Sequence, residues 1–269
     1  VFMTHATDFT AIAVGGANMW PLDLKLLVDN NMPPSSGYGK IRIGHLAPFT
    51  DVMTDTLADV RLQDGTIITG FNDVPYGTIA DYIELPAMTH DLKITSSDGS
   101  VTLIDPMPVT LNDGDILSVF AVGDGANQPL GVFALPAGMS GSLLPLTPRL
   151  QLAHLAPFDM DPGTAVTITL NGMDILTDVE FGDSTGYMWV PEGNNMVQVF
   201  PAGSATPAIS ATVFLTQSTD FTAIAVGGPN MWPLDLKLLT DDNSAPMPGF
   251  AKVRVGHLAP FAPGLANTL

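Results

Sequence analysis

Residues 1–27 read VFMTHATDFTAIAVGGANMWPLDLKLL, and residues 213–239 read VFLTQSTDFTAIAVGGPNMWPLDLKLL. The match continues without a gap, so that residues 1–57 align on residues 213–269 with 37 of the 57 positions identical. A weaker half-period lies inside that unit. The pentapeptide HLAPF begins at His45, His154 and His257, spaced by 109 and then 103 residues. A fixed period means similar modules in series. A period of this length exceeds that of solenoid repeats and suits a complete β-sandwich. The expected organisation is the C-terminal part of one repeat (residues 1–39), two whole repeats (40–147 and 148–248) and the first strand of a further repeat (249–269).

The punctuation is that of an all-β chain. Twenty-six glycines and 23 prolines are scattered along it, and no window sustains a helical period. In residues 40–46, Ile41, Ile43 and His45 share one face, and Arg42 and Gly44 take the other. Residues 166–172 (VTITLNG) alternate in the same way, and Asn171-Gly172 then makes a type I′ turn into 173–176. Further strands are expected at 58–63, 80–84, 91–95, 101–104, 116–122 and 130–135. The second repeat offers 184–190, 196–200, 208–214, 221–226 and 234–239. The expected fold class is tandem immunoglobulin-like antiparallel β-sandwich domains, with a closed barrel as the alternative. Proline-rich junctions at 144–148 and 244–249 read as semi-rigid spacers, which favours an extended rod.

Charge excludes some partners. With 27 acidic residues against 9 basic, the net charge of −18 repels phosphate backbones and anionic lipid, so neither nucleic acid nor an electrostatic membrane anchor is expected. The longest apolar runs, such as 116–122 and 221–226, are far short of the ~20 residues of a spanning helix. There is no cysteine, hence no disulfide framework and no thiol chemistry.

Read in order, I/V-R-I/V-G-H-L-A-P, A-D-V-R-L-Q-D-G and D-V-P-Y-G-T-I-A-D-Y, followed by a strand ending F-A-V-G, resemble domain-of-unknown-function family 4397. The matching positions are His45, Pro48, Asp59, Asp64, Gly65, Tyr76, Gly77 and Tyr82. The second repeat departs from the pattern. Val166 or Thr167 stands where the family has Asp, Phe181 replaces the first Tyr, and Glu180 replaces the proline. The resemblance implies tandem domains of secreted and cell-surface proteins of bacteria and archaea, and it implies no activity.

Several residues carry two readings. The three repeated histidines each stand alone in phase with inward residues, so a buried imidazole serving nearby backbone is preferred to a metal ligand. Asp159 and Asp161 have the alternate-acid spacing of a calcium loop, but the full twelve-residue pattern is missing and solvated turn acids are the plainer reading. Asn112-Asp113-Gly114-Asp115 reads as a tight hairpin turn. Trp20 and Trp232, in identical Asn-Met-Trp-Pro-Leu-Asp contexts, and Trp189 are candidate binding or interface residues. The Asn-x-Trp-Pro loops of Trp20 and Trp232 can present a ring for stacking on a sugar or a partner, but a ring packed over the domain's end or against its neighbour is the preferred reading. No nucleophile elbow or dinucleotide loop is present: Gly138–Ser142 and Gly123–Gly125 lack the required spacings.

The expected function is non-catalytic: a segment of a prokaryotic extracellular filament, stalk or giant surface protein. The expected partners are copies of itself or neighbouring repeats in a polymer. The alternative is an adhesin module that binds a glycan or a surface. No cofactor is expected beyond calcium as a candidate, and the location is extracellular or at the cell surface.

Overall fold

The protein is described by a computed structural model over residues 7–15, 20–50, 52, 56–157, 165–228, 232–244, 246–247 and 249–259. The chain divides into two compact units, Val1–Leu146 and Thr147–Leu269. Among the described residues the regular structure is all strand. Unit 1 opens with a hairpin of β1 (Asp8–Val14) and β2 (Asp23–Asp29). Its sandwich follows as β3 (Tyr38–His45), β4 (Ala58–Leu62), β5 (Ile83–Pro86), β6 (Thr89–His90), β7 (Leu92–Ser96), β8 (Thr102–Ile104), β9 (Val109–Thr110), β10 (Ile116–Val122), β11 (Gly131–Pro136) and β12 (Ser142–Leu143). Unit 2 comprises β13 (Arg149–His154), β14 (Val166–Leu170), β15 (Met173–Val179), β16 (Met188–Trp189), β17 (Gly193–Pro201), β18 (Ile209–Leu215), β19 (Asp220–Gly228) and β20 (Trp232–Asp241).

Each unit repeats one plan. In unit 1 a sheet ordered β12-β11-β10-β3-β5 faces the smaller sheets β4-β7-β8 and β6-β9. In unit 2 the sheet β16-β13-β19-β20 faces β15-β14-β17-β18. Pairing is antiparallel with one exception per module: β3 runs parallel to β10, and β13 to β19. A parallel pair needs a long crossover, and here almost the whole module supplies it by joining its first strand to its last hairpin. Asn171 and Gly172 have φ of 52° and 81°, both left-handed, as a type I′ turn requires.

The strand expected at 80–84 begins later, at Ile83. The chain first touches β3 through a lone bridge between Gly44 and Ile79 and pairs regularly only from Ile41–Ile83 onward. The strand expected at 184–190 likewise shrinks to β16, preceded by a lone bridge from Ala153 to Ser184. In both modules a left-handed glycine, Gly77 or Gly182, precedes the segment and turns it onto the sheet edge.

The two interiors are filled differently. Leu150, Leu152, Val166, Ile168, Val197, Val199, Leu215 and Phe221 form a continuous buried core in unit 2. In unit 1 the corresponding cluster is smaller, with Ala47, Ile104, Ala121 and Val132 buried and Ile94 and Val119 packed against them. The cause is local. Where unit 2 has the unbroken β18, unit 1 has Asp105-Pro106-Met107-Pro108 between β8 and β9. Neither proline can donate to a ladder, so the strand is split and the layer is left incomplete.

Candidate functional site

The motif residues of unit 1 hold its own loops. Asp59 is buried, and its Oδ2 accepts from Arg61 Nη2 at 2.5 Å while its Oδ1 accepts the amide of Asp73 at 2.7 Å. Arg61 in turn donates to the carbonyl of Gly65 and to Thr95 Oγ1. A buried carboxylate is tolerated because both of its oxygens accept hydrogen bonds, one of them from a cation. In unit 2 these positions are Thr167 and Thr169, and the segment that Asp59 and Arg61 tie down as a loop in unit 1 is instead the strand β15, paired with β14 through two register shifts.

His45 follows the backbone-serving reading on one side. Its Nε2 lies 2.6 Å from the carbonyl of Thr56, its amide donates to Thr78, and its carbonyl accepts from Gly77. Burial pushes the imidazole below its ordinary range, and the hydrogen bond to Thr56 only partly opposes this. His154 makes the matching backbone bonds to Asp183 and Gly182. Residues 112–115 do form a turn, in which Asp115 Oδ2 accepts from the backbone and side chain of Asn112 and Gly114 is left-handed, but it is not the expected hairpin: β9 pairs with β6 and β10 with β11 and β3, so the turn carries the chain from one sheet to another.

The arrangement that sequence reasoning missed lies on the outer face of β3. Lys40 and Arg42 point away from the sandwich interior, yet both are buried, because the β1–β2 hairpin lies over them. Arg42 donates to Asp29 Oδ1 at 2.7 Å, to the carbonyl of Val28 at 3.2 Å and to Ser118 Oγ at 2.9 Å. Its guanidinium also lies 4.7 Å from the centre of the Tyr82 ring. Thr10 Oγ1 donates to the other oxygen of Asp29 at 2.8 Å. Lys40 Nζ reaches Asn30 Oδ1 and the carbonyl of Met32. Around this polar centre Ile12, Val14 and Leu27 pack on Leu46, Ile79 and Phe120.

The ionic part of this contact set occurs a second time, in unit 2, without counterparts of the Ser118 and Tyr82 contacts among those described. Arg254 pairs with Asp241 and donates to the carbonyl of Thr240, Thr222 Oγ1 donates to Asp241 Oδ2 at 2.6 Å, and Lys252 pairs with Asp242 at 2.7 Å and with Ser244. Thr10, Asp29, Lys40 and Arg42 are thus matched one for one by Thr222, Asp241, Lys252 and Arg254. At the corresponding place between these two, the chain has Ala137 for the aspartate and Gln151 for the arginine. Gln151 turns instead to the carbonyl of Thr185 in its own module. The clamp therefore recurs with the two-module period.

Away from the clamp, Leu22 is 81 % exposed and Leu24 57 %, whereas their counterparts Leu234 and Leu236 pack against the core of unit 2. Val253 and Val255 are exposed in the same way, although their counterparts Ile41 and Ile43 face the interior of unit 1.

Of the other candidates, Trp20 is buried at the clamp's far end, its ring centroid 4.2 Å from that of Tyr76 and its Nε1 donating to the carbonyl of Thr50 at 3.2 Å. Trp189 is half-buried on β16, beneath the Arg149 guanidinium at 5.4 Å. Arg149 also forms a two-pronged pair with Asp220. Trp232 opens β20, and its side chain lies outside the described residues, as do Asp159 and Asp161 with the calcium expectation placed on them.

No curated protein matches this chain. The model of the domain of unknown function DUF4397 matches it twice, over residues 49–158 and 148–267, and the two matches overlap on β13. No described helix is long and apolar enough to cross a membrane. Two matches that together span most of the chain establish that it belongs to the DUF4397 family.

Proposed function

We propose that this chain is a structural, non-catalytic stretch of a prokaryotic extracellular filament, stalk or giant surface protein. The observation that carries the reading is the repeated clamp. A hairpin with the sequence of a module's last two strands sits on the outer face of the next first strand, and the same Thr–Asp–Arg set forms again two modules later. A series of modules that fixes its own joints with main-chain and ionic contacts transmits force rather than chemistry. The acidic surface keeps such an array soluble, and the partners are further modules of the same kind.

The adhesin alternative would use Trp20 and its equivalents on a glycan. The packing of Trp20 against Tyr76 and Thr50 favours the structural reading, because a ring committed to the joint has little face left for a sugar. Electron micrographs of the native material decide between the two. Regular fibres with an axial repeat of two modules are expected. Dispersed particles that bind a glycan array and lose binding on Trp20→Ala would overturn the proposal.

A further inference from the structure

The incomplete second layer of unit 1 leaves a cavity of about 250 Å³ between its sheets, bounded by Ile43, Val60, Phe71, Ile94 and Val119, with His45 at its wall. Among the described residues, the interior of unit 2 holds a larger set of buried apolar side chains. One polar atom at this cavity is unusual. The Thr56 carbonyl can only accept, so the proton of His45 must sit on Nε2, and a neutral imidazole then presents Nδ1 as a bare acceptor. His45 is 4 % exposed, and its Nδ1 has no hydrogen-bond partner among the described residues. A buried acceptor without a donor is costly, and on a residue that lines an apolar cavity it calls for an O–H group.

We propose that this cavity binds one neutral aliphatic molecule bearing a hydroxyl group, with its O–H donating to His45 Nδ1. A dry cavity of about 150 Å³ takes benzene, which scales here to a guest of about ten non-hydrogen atoms. The apolar walls hold the chain and the bare lone pair selects the head group. A carboxylate brings no proton to donate, and it meets an acidic protein.

Calorimetric titration of the full chain with 1-octanol tests this directly. Saturable binding of one molecule per chain is expected. 1-Methoxyheptane, which has the same number of non-hydrogen atoms and no donor, should bind at least tenfold more weakly, as should octanoate. 1-Hexadecanol, too long for the space, should not bind. Val119→Phe, which fills the cavity, should weaken octanol binding more than tenfold while unit 2 is unaffected. If that variant does not fold, the ligand series on the unaltered chain carries the test alone. Absence of saturable octanol binding, equal binding of the ether, or unchanged binding to a folded Val119→Phe protein would each overturn the proposal. A water molecule satisfying Nδ1 would give the first of these results.

Discussion

Asp29→Ala removes the anionic half of the clamp in unit 1 and leaves the Arg42 guanidinium behind. That guanidinium is 4 % exposed, and Asp29 is 12 % exposed, so the pair is screened little by solvent. Removing one partner of a buried pair costs about 3–5 kcal/mol, because the remaining charge is stranded. Ser118, the Val28 carbonyl and the Tyr82 ring still touch Arg42, which places the expected loss at the lower end, about 3 kcal/mol. The sandwich core does not contain Asp29, so the loss falls on docking of the hairpin alone. At about 1.4 kcal/mol per tenfold, the undocked population rises by roughly two orders of magnitude. Amide hydrogen exchange in β1 and β2 should accelerate by about that factor, while exchange in β13 and β19 stays unchanged. Trp20 emission should shift to the red as the indole leaves Tyr76. Arg254→Met is the internal comparison, since the Arg254 side chain is 50 % exposed and its pair is worth about 0–1 kcal/mol. The reasoning is refuted if Asp29→Ala leaves hairpin exchange within threefold of the parent, or if unit 1 unfolds as a whole with no separate release of the hairpin.

Arg61→Met should destabilise unit 1 by about 3–5 kcal/mol by stranding the buried Asp59 carboxylate, measured as a lower denaturation midpoint confined to the first of two transitions. Gly123→Ala should cost at least about 1–3 kcal/mol in the same assay, because a Cβ there meets the Pro129 carbonyl oxygen at 2.0 Å and φ is +86°. Gly65→Ala, left-handed but with open space around it, should cost less. His45 is held below its ordinary pKa of 6.5 by burial, so the unfolded chain binds the proton more readily than the folded one. The stability of unit 1 is therefore full above pH 6.5 and is lost as pH falls toward the depressed folded value. His45→Gln should flatten that part of the pH–stability profile.

The modular plan was legible because it rests on repetition and alternation. Ile41, Ile43 and His45 alternate with Arg42 and Gly44, and the structure puts the first three at the interior of the sandwich. Less legible was the fate of the other face. Polar residues alternating with apolar ones ordinarily mean solvent, and Lys40 and Arg42 are instead covered by a hairpin from an earlier repeat. A signal did exist: Thr10, Asp29 and Arg42 recur together as Thr222, Asp241 and Arg254, and fail together at Ala137 and Gln151. The parallel β3–β10 pair left no trace in local sequence, since strand direction depends on contacts far apart along the chain. The split of β8 from β9 could have been read from Pro106 and Pro108, but its consequence, a cavity walled by His45, needs the packing of both layers.

Pulling single molecules of the chain from its two ends tests most directly whether two self-contained sandwiches bear load in series. Freeing the chain from Arg149 to Asp241 should lengthen it by roughly 300 Å at about 3.3–3.6 Å per residue, and the first sandwich should give a separate step of similar size. Two such steps, with an earlier small release of the hairpin that Asp29→Ala removes, are the expected record. One step releasing both sandwiches together would contradict the account.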